Sequence, residues 1–236
     1  LNGDITAKIV HDVLTDRMGV KLDRVVSVVS DRASVNSLAY SMLAPFIPNS
    51  IQIGCFSHIL NRSGEKIDVP HASDFFCHWT SLFSKSLKAK GQWKEITGNA
   101  IRSHSPTRWW SSWEIYNEHC LSWSRVLQFL EACSCSPMTT FKLRQMLQKN
   151  EREILIEVAT LVDFAAPLVS ATYALESDEL MSLSAHQIIN EVRQKSQAFL
   201  LGVYPNITAI LTRCNLSLEE KKLPWMPLQK RHPSHF

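Results

Sequence analysis

One carboxylate lies at a point in the chain where it could bind a metal ion. Asp31 directly follows the β-branched run of residues 25–30, and in open α/β sheets functional groups gather at the carboxyl ends of the strands. Carboxylates that converge on Mg²⁺ or Mn²⁺ support two-metal phosphoryl transfer, because these ions prefer oxygen ligands. The alternative is that Asp31 caps the following helix, since Asp side chains accept backbone N–H groups at helix starts.

A Cys-x-x-His pair, Cys55 and His58, follows a second short β-type run. By spacing the pair is half of a zinc site, but tetrahedral zinc takes four ligands. The pairs Cys77-His78 and His119-Cys120 are adjacent in sequence, so their side chains diverge, and we expect that zinc is not a component. The alternative for this pair is a packed Cys55 and a His58 that caps a helix or lies at the surface.

Arg108 and Trp109 form the third candidate, within the segment Ser-Pro-Thr-Arg-Trp-Trp of residues 105–110. An Arg can pair with a phosphate while a neighbouring indole stacks on a base displaced from the duplex. The alternative is that Trp109, Trp110 and Trp113 form an apolar helical face without a ligand. Their spacing of three and four residues favours that alternative for Trp110 and Trp113.

Periodicity predicts the elements that must position these residues. Apolar spacing predicts helices over residues 3–18, 33–45 and 56–67, and strands over residues 23–30 and 51–54. The valines of the first strand are barely interrupted by polar residues, which predicts burial on both faces. Helix and strand in alternation indicate an α/β layer with parallel strands.

From residue 71 to residue 199 the pattern is helical throughout, with breaks predicted near residues 103–106 and 133–137. Its clearest helices are residues 151–169, which Pro167 should kink or end, and residues 182–199. The sequence thus predicts an α/β segment over residues 1–70 and a helical domain over residues 71–207. Residues 208–236 are basic and rich in proline, which predicts a poorly ordered tail.

Composition narrows the class of protein. A chain of 236 residues with a net charge of +3 can bury a sizeable core, and its charge supports nucleic-acid binding only weakly. We expect no membrane span, because no apolar run approaches the required length, and no secretory leader. The six cysteines are irregularly spaced, which favours reduced thiols in an intracellular protein.

Taken in order, these motifs resemble the DDE transposases of the hAT superfamily. The shared features are the strand-end Asp31 with Asn36 early in the next helix, the Cys55 and His58 pair, and Arg108-Trp109. The resemblance covers about residues 5–180 and implies a ribonuclease-H-like catalytic domain that is split by an all-α helical insertion.

The resemblance also assigns roles to the matching residues. Asp31 would be the second of three catalytic carboxylates and a ligand of Mg²⁺ or Mn²⁺, the cofactor of the intact family. His58 would approach a DNA phosphate, with Cys55 and Asn36 near the site, and Arg108 and Trp109 would assist with the flipped base.

The first Asp and the last Glu of the family triad have no counterpart that we can identify. We therefore expect a fragment of a hAT-type transposase, whose ancestral chemistry is metal-dependent DNA hydrolysis and strand transfer, and which is inactive alone. The family implies a DNA partner, a homo-oligomer for the intact protein, and the nucleus.

Two alternatives remain. The first is a non-enzymatic DNA-binding or protein-interaction module derived from such a transposase. The second is an unrelated α/β protein that binds a nucleotide, which is disfavoured because no Gly-rich phosphate loop follows either predicted strand.

Overall fold

The computed structural model describes residues 2–102, 108–176, 181–200 and 204–213 of the chain. The chain divides into two compact units, Leu1–Leu60 and Asn61–Phe236, and the division falls inside a helix. The described residues are mostly helical, with one small parallel sheet. The boundary after residue 70 that the sequence indicates stays a prediction.

The elements are numbered in chain order. The two strands are β1 (Ser27–Ser30) and β2 (Ile51–Gly54). The helices are α1 (Gly3–Asp12), α2 (Ser34–Leu43), α3 (Phe56–Gly64), α4 (Pro70–Lys85), α5 (Leu87–Thr97), α6 (Trp109–Leu121), α7 (Trp123–Ala132), α8 (Pro137–Leu175), α9 (Met181–Leu200) and α10 (Pro205–Arg213).

The sheet of the first unit is built from β1 and β2, which pair in parallel as the alternation of elements predicts. The register places Ser27 opposite Ile51 and Ser30 opposite Gly54. Its core is small and formed mainly by α1 and α2, with Val25 and Val28 packed against it. The fully buried members of this core are Ala7, Ala39, Leu43 and Ile47. The structure therefore shows an α/β segment that precedes a helical region.

The prediction that the first strand is buried on both faces is wrong. Val29 is 61% exposed, because the core of this unit covers only the face of β1 that carries Val28. Val26, which is 70% exposed, lies before the strand begins. The strand is also shorter than predicted, since Leu22–Arg24 forms a 3-10 turn before it.

The opening helix covers residues 3–17, close to the predicted 3–18, and changes its hydrogen-bonding pattern within that span. The Asn2 side chain accepts a hydrogen bond from the Asp4 backbone N–H at 2.9 Å and so caps the start of α1. After Asp12 the backbone continues as a π-helical turn, Val13–Arg17. Gly19 then adopts a φ of +61°, a left-handed conformation that favours glycine at the end of a helix.

The second unit is helical and its core is rich in aromatic rings. Trp79 of α4 lies at its centre, edge-on to Phe83, Trp93, His119 and Phe129 with ring centroids 5.0–5.5 Å apart. Edge-to-face contacts of this kind are favoured by the quadrupoles of the rings. Trp79 thus packs α4 against α5, α6 and α7.

The longest helix, α8, runs through the position of Pro167 without ending there. The prediction that Pro167 ends this helix is wrong, and the alternative that it kinks the helix stays a prediction. A residue with non-helical backbone angles lies earlier in α8, at Asn150 (φ −134°, ψ 21°). Proline in a helix interior costs about 3 kcal/mol. Here Ala165, Val169 and Thr172 are buried on either side of it, and this packing offsets the cost.

By length and composition, α8 is apolar enough to cross a membrane, which the sequence prediction did not anticipate. However, 67% of its most apolar window is buried inside the protein, as is common in core helices of globular proteins. That window contains Asp163, whose carboxylate accepts the backbone N–H groups of Asn206 and Ile207, each at 3.0 Å. Asp163 therefore caps the start of α10.

Towards the end of the chain, α9 matches the helix predicted over residues 182–199 closely. The helix α10 overlaps the predicted tail, because residues 208–213 are helical, with Ile210 and Leu211 buried. Residues 214–236 of that tail lie outside the described residues. So does the break predicted near residues 103–106, whereas the break near residues 133–137 is confirmed between α7 and α8.

Candidate functional site

The first candidate region is the edge of the sheet where both strands end. Because β1 and β2 are parallel and in register, their carboxyl ends lie side by side, and the Cys55 N–H donates to the Ser30 carbonyl at 2.7 Å. Asp31 follows β1 and Cys55 follows β2, so the structure brings two of the predicted site residues to one edge. Each strand then leads into a helix, α2 or α3.

The Asp31 carboxylate is bound locally through one oxygen. Its Oδ1 accepts the Ala33 backbone N–H at 2.9 Å and the Asn36 side-chain amide at 2.6 Å. The Ala33 N–H, the Asn36 amide and the positive charge of His58 hold the pKa of this carboxyl below its usual range. The other oxygen, Oδ2, accepts no hydrogen bond from the described residues.

Neither sequence interpretation of Asp31 is settled by this arrangement. Its contact with the Ala33 N–H, two residues ahead, orders the turn into α2, but the N-cap residue of that helix is Ala33, which has no side-chain cap. The contact with Asn36 joins two residues that the resemblance had placed near one site. A carboxylate whose pKa is lowered and whose Oδ2 has no donor among the described residues is chemically suited to accept a cation or a donor group.

Two side chains that can carry positive charge, His58 and Arg32, lie at the same edge. His58 lies exposed in the first turn of α3, close enough to Asp31 to lower its pKa. Arg32, which the sequence interpretation overlooked, extends across the end of β2, where a Cβ added to Gly54 would lie 3.1 Å from its Nε. The glycine therefore leaves room for the guanidinium, and the edge combines one carboxylate with two groups that can be cationic.

The oxygen donors needed for two-metal chemistry are not assembled at this edge. Among the described residues no three His, Cys, Asp or Glu side chains are grouped so that they could hold a metal ion. Asp31 offers one carboxylate, and the neighbouring Cys55 and His58 are softer donors than Mg²⁺ or Mn²⁺ prefers. The residues present do not fit the family's metal pair, and no catalytic step through a metal follows from them.

The second candidate region, in the other unit, contains Arg108 and Trp109. Trp109 is the first residue of α6, and its backbone N–H donates to the Asn61 side-chain oxygen at 2.8 Å. Its indole packs on Gly64, where an added Cβ would lie only 2.2 Å from the ring atom Cε3. One face of this indole is therefore already used for packing within the unit.

Arg108 is exposed and packs on a different tryptophan. Its Cζ lies 5.2 Å from the centre of the Trp110 ring, a cation–π distance, and no carboxylate of the described residues forms an ion pair with it. The Trp110 ring in turn lies 5.0 Å from that of Tyr173. The guanidinium is thus held at the surface with its hydrogen-bond donors available to an anion.

Asn61 is the positioning residue that the sequence interpretation missed here. It is a buried amide in α3 that binds both the Trp109 N–H and, through its Nδ2, the Glu65 carboxylate at 3.1 Å. Asn61 lies among other polar residues of α3, such as His58 and Arg62, so no local pattern distinguished it. Its partner lies 48 residues away and could not be identified from the sequence.

Comparisons with protein-family models, with curated proteins and with solved structures found no match to this chain.

Proposed function

We propose that this chain is a DNA-binding part of a hAT-type transposase, with a first unit that is a partial ribonuclease-H-like layer. The ancestral chemistry would be metal-dependent DNA hydrolysis and strand transfer in the nucleus. The observation that carries the proposal is the edge where Asp31, Asn36, Cys55 and His58 follow two parallel strands. That order of elements is what the family resemblance implies.

The chain's own residues would bind and orient DNA rather than cut it. His58 and Arg32 offer positive charge beside the sheet edge, and Arg108 offers an exposed guanidinium that pairs with no carboxylate of the described residues. Such groups contact phosphates without reading sequence. One carboxylate cannot position two divalent ions, so we expect no cleavage by this chain alone.

A second candidate is a non-enzymatic DNA-binding or protein-interaction module derived from a transposase. It is favoured by the engagement of Asp31 Oδ1 with Ala33 and Asn36, a local contact that orders the turn into α2. The DNA-binding form of this candidate predicts DNA binding, as the first candidate does, whereas the protein-interaction form does not. In neither form does Asp31 take part in chemistry within the complete protein.

The test combines a binding and a cleavage assay on the purified chain. Labelled hairpin and linear duplex DNA should bind with an affinity that falls steeply with salt, and more tightly than polyglutamate of matched length. Equal binding to polyglutamate, or none to DNA, would contradict the proposal. Nicking in Mn²⁺ that disappears in Asp31→Ala would show instead that further carboxylates complete the site.

A further inference from the structure

A cleft of about 740 Å³ lies in the second unit, between α4, α5, residues 100–102 and the middle of α6. Two lysines of α5, Lys90 and Lys94, line one side, and hydroxyl groups of α4, among them Ser81 and Ser84, line another. Arg102 contributes a third cation. The sequence interpretation assigned no role to any of these residues.

The two lysines carry the charge that is available in this cleft. Lys90 and Lys94 are four residues apart on one helix, so they project from the same face, and both are exposed. Neither forms an ion pair with a described residue. Arg102, in contrast, is bound by Glu114 at 3.3 Å and Glu118 at 2.9 Å, which neutralise it.

No carboxylate is among the described residues that line the cleft. Its deeper wall is formed by the buried residues Trp79, Phe83 and Ile115 of the core. Low-polarity walls beside two lysines that form no ion pair with a described residue strengthen the local positive potential and attract an anion. The wall is also part of a packed core, so the lysines project from a rigid support.

The donors present suit a phosphate in a polymer backbone. Lysine acts as a mobile point charge, whereas a planar Arg fork is the usual group for reading a base edge. Lysine and hydroxyl groups are common partners of DNA phosphates, which position a protein without specifying sequence. An open cleft also leaves a passage for a continuing strand, which an enclosed cavity would not.

We propose that the cleft beside Lys90 and Lys94 holds phosphate groups of a DNA strand, as a second contact independent of Arg108. This inference rests on the proposed DNA-binding function. It identifies where on the helical unit the backbone would lie and which side chains neutralise it.

The test measures the salt dependence of DNA binding by the full chain, using fluorescence anisotropy of a labelled duplex. The double variant Lys90→Gln/Lys94→Gln should reduce the slope of log K against log salt by about two, because each neutralised phosphate contributes about 0.9. The matched control is Lys142→Gln/Lys149→Gln, which removes two exposed lysines of α8. The control should leave the slope almost unchanged.

The outcomes separate this inference from the proposed function. DNA binding with equal slopes in both double variants would overturn the cleft assignment and leave DNA binding intact. No DNA binding by the unmodified chain would overturn both. A further experiment is calorimetric titration with deoxyadenosine monophosphate. If Lys90→Gln/Lys94→Gln abolishes tight binding of this nucleotide and leaves DNA binding unaltered, that result would assign the cleft to a small phosphate ligand and overturn its role in DNA binding.

Discussion

The Glu157 carboxylate, in the middle of α8, accepts a hydrogen bond from the backbone N–H of Ala72 at 2.8 Å. Ala72 lies in the first turn of α4, where the N-cap residue Val69 provides no side-chain acceptor. The two residues are 85 positions apart in the chain, and both are buried. A carboxylate from a distant helix therefore performs the capping that a Ser or Asp would ordinarily perform locally.

Replacing Glu157 should destabilise the helical unit. Glu157→Ala leaves the buried N–H of Ala72 without its acceptor, which costs about 1–3 kcal/mol in the free energy of unfolding. Chemical denaturation followed by circular dichroism measures the loss. Glu153→Ala, at an exposed position on the same helix, serves as the control and should change stability by less than about 0.5 kcal/mol. Equal effects of the two substitutions would contradict the capping role.

A buried histidine should make stability depend on pH. His119 is fully buried, its Nδ1–H donates to the Ile115 carbonyl at 2.7 Å, and its Nε2 has no partner among the described residues. Burial lowers the pKa of His119 from 6.5 to about 4. Between these two values the unfolded chain binds a proton that the folded chain does not. The free energy of unfolding should therefore fall by about 3 kcal/mol as the pH drops from 6.5 to 4.

The His119→Phe variant isolates this contribution. Burial raises the pKa of Glu157, which works in the opposite direction as the pH falls, so the difference between the two proteins is the informative quantity. The variant should lose less stability than the unmodified chain on acidification from pH 6.5 to 4. Parallel curves of unfolding free energy against pH would show that His119 is already protonated or accessible in the folded state.

Two glycines should respond in opposite directions to replacement by alanine. A methyl group on Gly64 would lie 2.2 Å from the Trp109 ring, so Gly64→Ala should cost about 1–3 kcal/mol. Gly91 lies inside α5 with nothing within 4 Å of an added methyl group, so Gly91→Ala should stabilise by up to about 1 kcal/mol. Thermal unfolding of both variants makes the comparison, and a tolerated Gly64→Ala would mean that Trp109 is not packed there.

Arg108 should contribute to DNA affinity through phosphate contact. Arg108→Ala removes one exposed cation, so binding should weaken about equally for all sequences and the salt slope should flatten by about one unit. Arg152→Ala, which removes an exposed arginine of α8, is the charge-matched control. An unchanged slope in a folded Arg108→Ala protein would assign Arg108 a structural role, in its contact with Trp110.

Local features of the sequence were sufficient to predict two strands that pair in parallel. The predicted bounds of β2 agree with those in the structure, and the helix between the two strands indicated that they pair in parallel. The exposure of Val26 and Val29 could not be foreseen. A run of β-branched residues indicates a strand, but how many layers cover that strand depends on elements far away in the chain.

In the helical unit as well, distant packing partners decide features that local sequence patterns do not predict. The end of α7 near Cys133 and the start of α8 at Pro137 are marked by residues that interrupt periodicity. The passage of α8 through Pro167, in contrast, depends on packing partners from other helices, which no local pattern contains. Similarly, Arg108 was recognised as a candidate from its type, but its position over Trp110 rather than beside Trp109 is set by the Asn61 contact and by Gly64.

Asp163 caps α10 and Glu157 caps α4, and together these contacts affect how the second unit unfolds. Two helices, one that precedes α8 in the chain and one that follows it, each place backbone N–H groups on a carboxylate of that single helix. Neither helix keeps these bonds once α8 separates from it. The unit should therefore lose its structure in one cooperative transition, and limited proteolysis should give either the intact unit or small peptides, without a stable intermediate fragment.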